Sequence, residues 1–155
     1  RGVHKKYIKK NLYESLSAYG ITTHRHNSEI QQELDLCTGE KNNFQFTPHL
    51  TPMFRGILST IYVDLRKGVT KNKVNLVLNN YFKKEIFVHV AKPNTLLSTN
   101  DVINTNKCII SVCKSKHKKK LIILFFIDNL FKGGSGQAVQ NMNIIYNFPE
   151  SRGLK

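Results

Sequence analysis

The chain of 155 residues has no tryptophan, three cysteines, four prolines and ten acidic residues against twenty-four lysines and arginines. Each shortage excludes something. Cys37, Cys108 and Cys113 are odd in number and wrongly spaced for a disulfide framework or a zinc site, so a reduced, cytoplasmic protein without a structural metal is expected. No apolar run approaches the roughly 18 residues that span a bilayer. The longest, Leu121 to Ile127, has the length of a buried strand. No signal peptide is visible, and Arg1 in place of an initiator methionine reads as the interior of a longer chain. There is no low-complexity linker and no internal repeat.

What is abundant is positive charge, a formal +14. It admits a nucleic-acid partner, phosphorylated small molecules, or a merely lysine-rich solvated surface. The lysines are scattered except for Lys5-Lys6, Lys9-Lys10 and Lys118-Lys119-Lys120. The last run has the look of a hairpin turn and lacks interleaved aromatics, which argues against a nucleic-acid face.

Residues 1–11 are basic and read as loose, and Asn11 to Tyr19 fits a short strand or a poor helix. Ser28 and Gln31 have capping-box spacing, with Asn27 a competing cap. Ile30, Leu34 and Cys37 follow at helical spacing, and Gly39 marks the stop. His24 and His26 then fall just before a helix N-terminus, where the dipole favours anions. Phe44–His49 reads as a strand, and residues 57–65 alternate with a strand period. Thr70 is placed to cap a helix with Val74, Val77, Leu78, Tyr81 and Phe82 on one face. Ile86–Ala91 is β-rich, and Cys108–Cys113 with Leu121–Ile127 make a hairpin around the lysine run. A last helix spans about Ser135 to Tyr146, with Ala138, Val139, Met142, Ile145 and Tyr146 on its apolar face. The expected fold is α+β: a mixed or antiparallel sheet with helices mainly on one face.

Three segments carry candidate chemistry. In His24-Arg25-His26, imidazoles that titrate near neutrality flank a guanidinium, so the group is either an acid/base centre with an anion clamp or three solvated residues of a turn. Phe46-Thr47-Pro48-His49-Leu50-Thr51-Pro52 leads to Arg55-Gly56; His49 reads as structural, and Arg55 as an anion clamp or a strand-end charge. Lys132-Gly133-Gly134-Ser135-Gly136 runs into a helix whose Gln137, Gln140, Asn141 and Asn143 are either a ligand-facing amide surface or amides in water. It is not a dinucleotide fingerprint, because the third glycine and the βαβ unit are missing.

With Ala18-Tyr19-Gly20 ahead of the histidines, and Val102–Cys108 with its Asn106, these segments in this order resemble the second half of the N-acetyl-gamma-glutamyl-phosphate reductase family. The resemblance implies the C-terminal α+β domain shared in fold with glyceraldehyde-3-phosphate and aspartate-semialdehyde dehydrogenases. It implies an NADPH-dependent reduction of N-acetyl-glutamyl 5-phosphate to the 5-semialdehyde in arginine biosynthesis, in a homo-oligomer without membrane or nucleic acid. By the same resemblance His26 is the acid/base and His24 a supporting or substrate contact. Arg25, Tyr19, Arg55 and Arg1 meet the substrate, Arg1 as the end of a Ser-Gly-Ala-Gly-Arg stretch, and Gly136, Gln137 and Asn141 face the NADPH. Residues 1–131 become a catalytic and dimerisation domain, and 132–155 a glycine turn and helix that pack on a Rossmann domain. The chain departs from the family in lacking the Pro-Gly-Cys-Tyr-x-Thr nucleophile motif and the dinucleotide loop, so alone it is expected to be inactive. Two rival readings are a basic nucleic-acid-binding module and a degenerate fragment without activity.

Overall fold

The computed structural model describes residues 14–155. Arg1, the Lys5-Lys6 and Lys9-Lys10 pairs and the first three residues of the Asn11–Tyr19 segment lie outside the described residues. The chain divides into two compact units, Arg1–Met53 and Phe54–Lys155, so the 132–155 segment belongs to the second.

In the first unit the short strands β1 (Ser17–Ala18) and β2 (His49–Leu50) pair antiparallel, with Ala18 opposite His49. The β-rich run at Phe44–His49 therefore contributes only its last residue to a strand; Pro48 and Pro52 keep the pairing short. Between them lies α1 (His26–Thr38). It starts three residues earlier than the Ser28–Gln31 capping-box pattern predicts. Ser28 is already in the first turn, and its hydroxyl donates back to the Arg25 carbonyl at 2.9 Å. Gly39 ends the helix in the left-handed conformation at φ 71°, its N–H bonded to the Asp35 carbonyl. Asn42 then stitches the chain to the helix: its N–H donates to Asp35 Oδ1 at 2.7 Å and its carbonyl accepts from Gln31. That backbone donor, with side-chain amides from Asn42 and Gln31, outweighs desolvation and holds the Asp35 carboxyl below its ordinary value. No residue of α1 is buried.

The second unit is a four-stranded mixed sheet in the order β3 (Ile57–Asp64), β6 (Lys120–Ile127), β5 (Cys108–Lys114), β4 (Val88–Val90). β5 and β6 form the antiparallel hairpin expected around the lysine run, β3 joins β6 antiparallel, and β4 joins β5 parallel. α2 (Lys71–Tyr81) connects β3 to β4, and its Thr70 cap accepts from the Lys73 N–H at 3.2 Å. Val102, Val112, Leu121 and Phe126 are at most 1% exposed and mark the core. The observed class is the expected α+β with a mixed sheet.

After β6 comes a π-helical turn, Phe131–Ser135, and then α3 (Gly136–Ile145). Here the sequence pattern misleads. The stripe that α3 buries is Gly136, Gln140 and Asn143. The apolar stripe stands out instead, with Met142, Ile145 and Tyr146 exposed and Phe148 beyond them. Hydrophobic periodicity located the helix and its apolar face, but not the polar face that this unit buries. Polar anchors decided the orientation: Asn143 donates to the carbonyls of Glu150 and Arg152, and Gln140 to the Glu150 carboxylate at 2.6 Å.

Candidate functional site

The first unit assembles the histidine motif around a tight turn. Gly20 sits at φ 56°, and its carbonyl accepts from both Thr23 and His24 N–H. A Cβ on Gly20 would meet His24 Cβ at 3.2 Å, so the turn and the histidine are built together. The His24 ring is edge-on to Tyr19, Phe46 and His26 at centroid distances of 5.4, 5.5 and 4.7 Å. Tyr19, Arg25, His24 and His26 are thus brought together by eight residues of chain; Phe46, which sequence reasoning left in a strand, forms a wall of the same cluster.

The two imidazoles differ in what they can do. His24 Nδ1 accepts the backbone N–H of His26 at 3.2 Å. A neutral His24 therefore carries its proton on Nε2. Burial, then the neighbouring His26 and Arg25 charges, depress its pKa below the ordinary histidine value; Glu29 opposes them more weakly. His26 opens α1, and its Nε2 lies 3.8 Å from the Glu29 carboxylate. The side-chain amide nitrogen of Asn27 is buried beside this turn with no hydrogen-bond partner among the described residues.

The second unit holds Arg55 and the glycine turn. Asp128, wholly buried at the end of β6, lies with Oδ2 3.5 Å from Arg55 Nε. Asn104 Oδ1 accepts from Arg55 Nη1, and the Phe131 ring lies 5.4 Å from the guanidinium carbon. Asp128 also accepts three backbone N–H groups, those of Leu130 and Phe131 on Oδ1 and of Asn104 on Oδ2, at 2.8 to 3.0 Å. Burial alone would raise its pKa; these donors, with Arg55, outweigh burial and lower it, so the carboxylate stays ionised. The adjoining Asn129 accepts the Gly56 N–H at 2.8 Å. Sequence reasoning missed Asp128, Asn129 and Asn104. The available signal was an Asp-Asn pair directly between a strand and a glycine turn.

The amide-rich helix splits into two sets. Gln140 and Asn143 are buried, and the Gln140 carbonyl accepts from Asn106 at 2.8 Å and from Lys132 at 2.7 Å. Gln137 and Asn141 stay on the open side and pair with each other at 2.9 Å. Gly136 is buried: a Cβ there would sit 2.9 Å from the Phe131 carbonyl and collide with Asn106, which accounts for the glycine on packing grounds. Cys108 beside Lys132 is buried, and desolvation pushes its thiol up to about 11, the reverse of what a nucleophile needs. Among the described residues no group of His, Cys, Asp and Glu is arranged to hold a metal ion, and no helix is long and apolar enough to cross a membrane.

The family described as "Semialdehyde dehydrogenase, dimerisation domain" matches residues 1–129. An N-acetyl-gamma-glutamyl-phosphate reductase of Thermoanaerobacter pseudethanolicus is 46% identical over 148 residues, covering 93% of this chain and 43% of the relative. One of Pelobacter propionicus is 50% identical over 142 residues, covering 91% of this chain and 41% of the relative. The chain therefore spans less than half the length of these relatives. Among solved structures, aspartate semialdehyde dehydrogenase II of Vibrio cholerae shares the fold at a TM-score of 0.61 with 14% identity, over 79% of this chain and 37% of that one.

Proposed function

The chain belongs to the semialdehyde dehydrogenase family through its dimerisation domain, and we propose that it is the C-terminal half of a cytoplasmic N-acetyl-gamma-glutamyl-phosphate reductase. That enzyme reduces N-acetyl-glutamyl 5-phosphate to the 5-semialdehyde with release of phosphate. The observation that carries the reading is the histidine turn, Gly20 to Glu29, set within a chain 46–50% identical to reductases of that name.

In this reading a cysteine in the part of the protein beyond the matched share attacks the acyl phosphate. His26 takes the thiol proton as phosphate is displaced and gives it to the oxygen of the thiohemiacetal, from which it returns to the departing sulfur as the aldehyde forms, with Glu29 beside the ring. His24 serves beside it as a neutral N–H donor toward substrate, because Nδ1 is committed to the backbone. Arg25 and Arg55 supply positive charge for the substrate's carboxylate and phosphate, with Arg1 assigned to the same role from the sequence and Tyr19 as part of the wall.

NADPH would supply the hydride. Gln137 and Asn141 fit its carboxamide: once paired with each other they keep the Gln137 carbonyl and three amide N–H groups for a ligand. Gly136 supports that helix start from beneath. The exposed apolar side of α3, with Ile144, Ile145, Tyr146 and Phe148, suits packing of 132–155 against the cofactor domain. The exposed Ile57, Leu58, Ile61 and Tyr62 on edge strand β3 suit a homo-oligomeric contact.

The test is an assay of the full-length protein that follows NADPH formation from the semialdehyde, phosphate and NADP. Turnover is expected there and none from this chain alone. Absence of turnover by the full-length protein overturns the reading. A second outcome to check is salt-sensitive retention of nucleic acid, which the basic rival would require.

A further inference from the structure

Arg55 is held more tightly than a strand-end charge needs to be. One side of its guanidinium faces a wholly buried carboxylate, Nη1 is bound by Asn104, and the ring of Phe131 lies against it. Among the described residues Nη2 has no partner, while the side chain remains 20% exposed. Asp128 cannot have been placed merely to neutralise Arg55, because three backbone N–H groups already satisfy its oxygens. Two of those come from the turn that leads into the glycine segment, and one from the loop that supplies Asn104. Asp128 thus fixes, through a single buried group, the guanidinium, its second strut and the start of the turn before α3. Asn129 repeats the connection one residue on, by taking the N–H of Gly56. At Gly56, φ is 105° and an added Cβ would meet Thr99 at 2.6 Å, so the backbone carrying Arg55 is fixed as well.

We infer that Asp128 is a positioning residue for substrate recognition: with Asn104 it orients Arg55 so that the free Nη2 edge presents a fixed fork to one oxyanion of the substrate. This rests on the reductase reading proposed above. The chemistry shared by the candidate ligands is a planar or tetrahedral oxyanion, for which a guanidinium with one edge free is suited and a mobile cation is not. The substrate offers two such groups, the carboxylate and the phosphate. In the reverse direction they arrive on separate molecules, the semialdehyde and inorganic phosphate, so their KM values can be read apart.

The experiment uses the full-length protein in that direction. Arg55→Ala is expected to raise one of the two KM values, naming the oxyanion. Asp128→Asn is expected to raise the same KM by about ten- to a hundred-fold, with kcat within a few-fold, because the charge of Arg55 persists and only its placement is lost. Asn104→Gly, which keeps the left-handed backbone at φ 61°, is expected to raise that KM less. Guanidinium at millimolar concentration is expected to restore Arg55→Ala in part, and to fail with Arg55→Ala/Asp128→Asn, where the slot has lost its carboxylate. A purely structural role would not produce that dependence. Unchanged KM values in a folded Asp128→Asn, an equal rise in both, or rescue that ignores Asp128 overturns the inference. If Asp128→Asn does not fold, Asn104→Gly decides: an unchanged KM overturns it. Loss of the reductase reading is separate, since it shows as no turnover by the unmodified protein.

Discussion

The two units divide labour unequally. Residues 14–53 carry the histidine turn, yet none of the buried residues lies there, and its strands are two residues long. Among the described residues, 54–155 hold the buried core and the four-stranded sheet. The proposed acid/base chemistry therefore sits on a locally braced turn, fixed by Gly20, by aromatic edges and by the Asn42–Asp35 stitch, and not by a core of its own. Changes in the first unit should act on catalysis with little effect on stability, whereas changes in the core of the second should act first on stability.

The largest expected effect follows directly. In the full-length enzyme His26→Ala should lower kcat by about 10²–10⁴, the range for loss of a general acid/base. His24→Ala should act mainly on KM. Neither should shift the folding free energy by more than about 1 kcal/mol, since the first unit buries so little. Steady-state kinetics with a denaturation curve on each variant checks this. Normal kcat in His26→Ala with loss in His24→Ala would reverse the assignment.

The opposite case is Phe126→Ala. Phe126 is 1% exposed in the central strand β6, and its truncation should cost about 3–5 kcal/mol in urea unfolding followed by circular dichroism. Leu34→Ala in α1, at 36% exposure, should cost under about 1 kcal/mol. Equal costs would show that the first unit depends on packing as much as the second.

Glycines sharpen the contrast on a smaller scale. Gly56→Ala meets both a φ of 105° and Thr99 at 2.6 Å, and should cost about 2–3 kcal/mol. Gly39→Ala meets the left-handed φ of 71° with nothing within 4 Å of the new Cβ, so about 1 kcal/mol is expected. Thermal unfolding of the two variants separates close approach from backbone preference.

Much of the scaffold was legible in the sequence because its signals are local. The period of two in β3, the Thr70 cap, the Gly39 stop and the β5–β6 hairpin each depend on neighbours within a few residues. Two failures have one cause. The start of α1 and the buried face of α3 follow hydrogen bonds that periodicity does not register: Ser28 to the Arg25 carbonyl, and Gln140 and Asn143 to the chain seven to ten residues on. The same blindness hid Asp128, whose partners at 55 and 104 are brought to it only by the order of the sheet. The family resemblance singled out the histidines and the roles proposed for them; the hydrogen bond on His24 Nδ1 adds a local reason for the same proposal.

The smallest effect tests that bond by pH. His24 Nδ1 is an acceptor for the His26 N–H, and protonation would turn it into a donor facing a donor. Burial and the adjacent His26 and Arg25 lower the His24 pKa from 6.5, against a weaker pull from Glu29; the rings of Tyr19 and Phe46 that flank it add no charge at neutral pH. Above 6.5 neither the folded nor the unfolded chain protonates this ring, and its contribution to the turn is intact. Below that value the unfolded chain takes up the proton first. The contribution then declines and is lost as pH falls through the lower, folded pKa. In a proton–nitrogen NMR titration His24 should show an apparent pKa below 6.5, and the His26 amide resonance should move with it. A His24 pKa at or above 6.5, or a His26 amide that ignores the His24 titration, would mean that the turn does not fix the tautomer, and the distinction between the two imidazoles would fall with it.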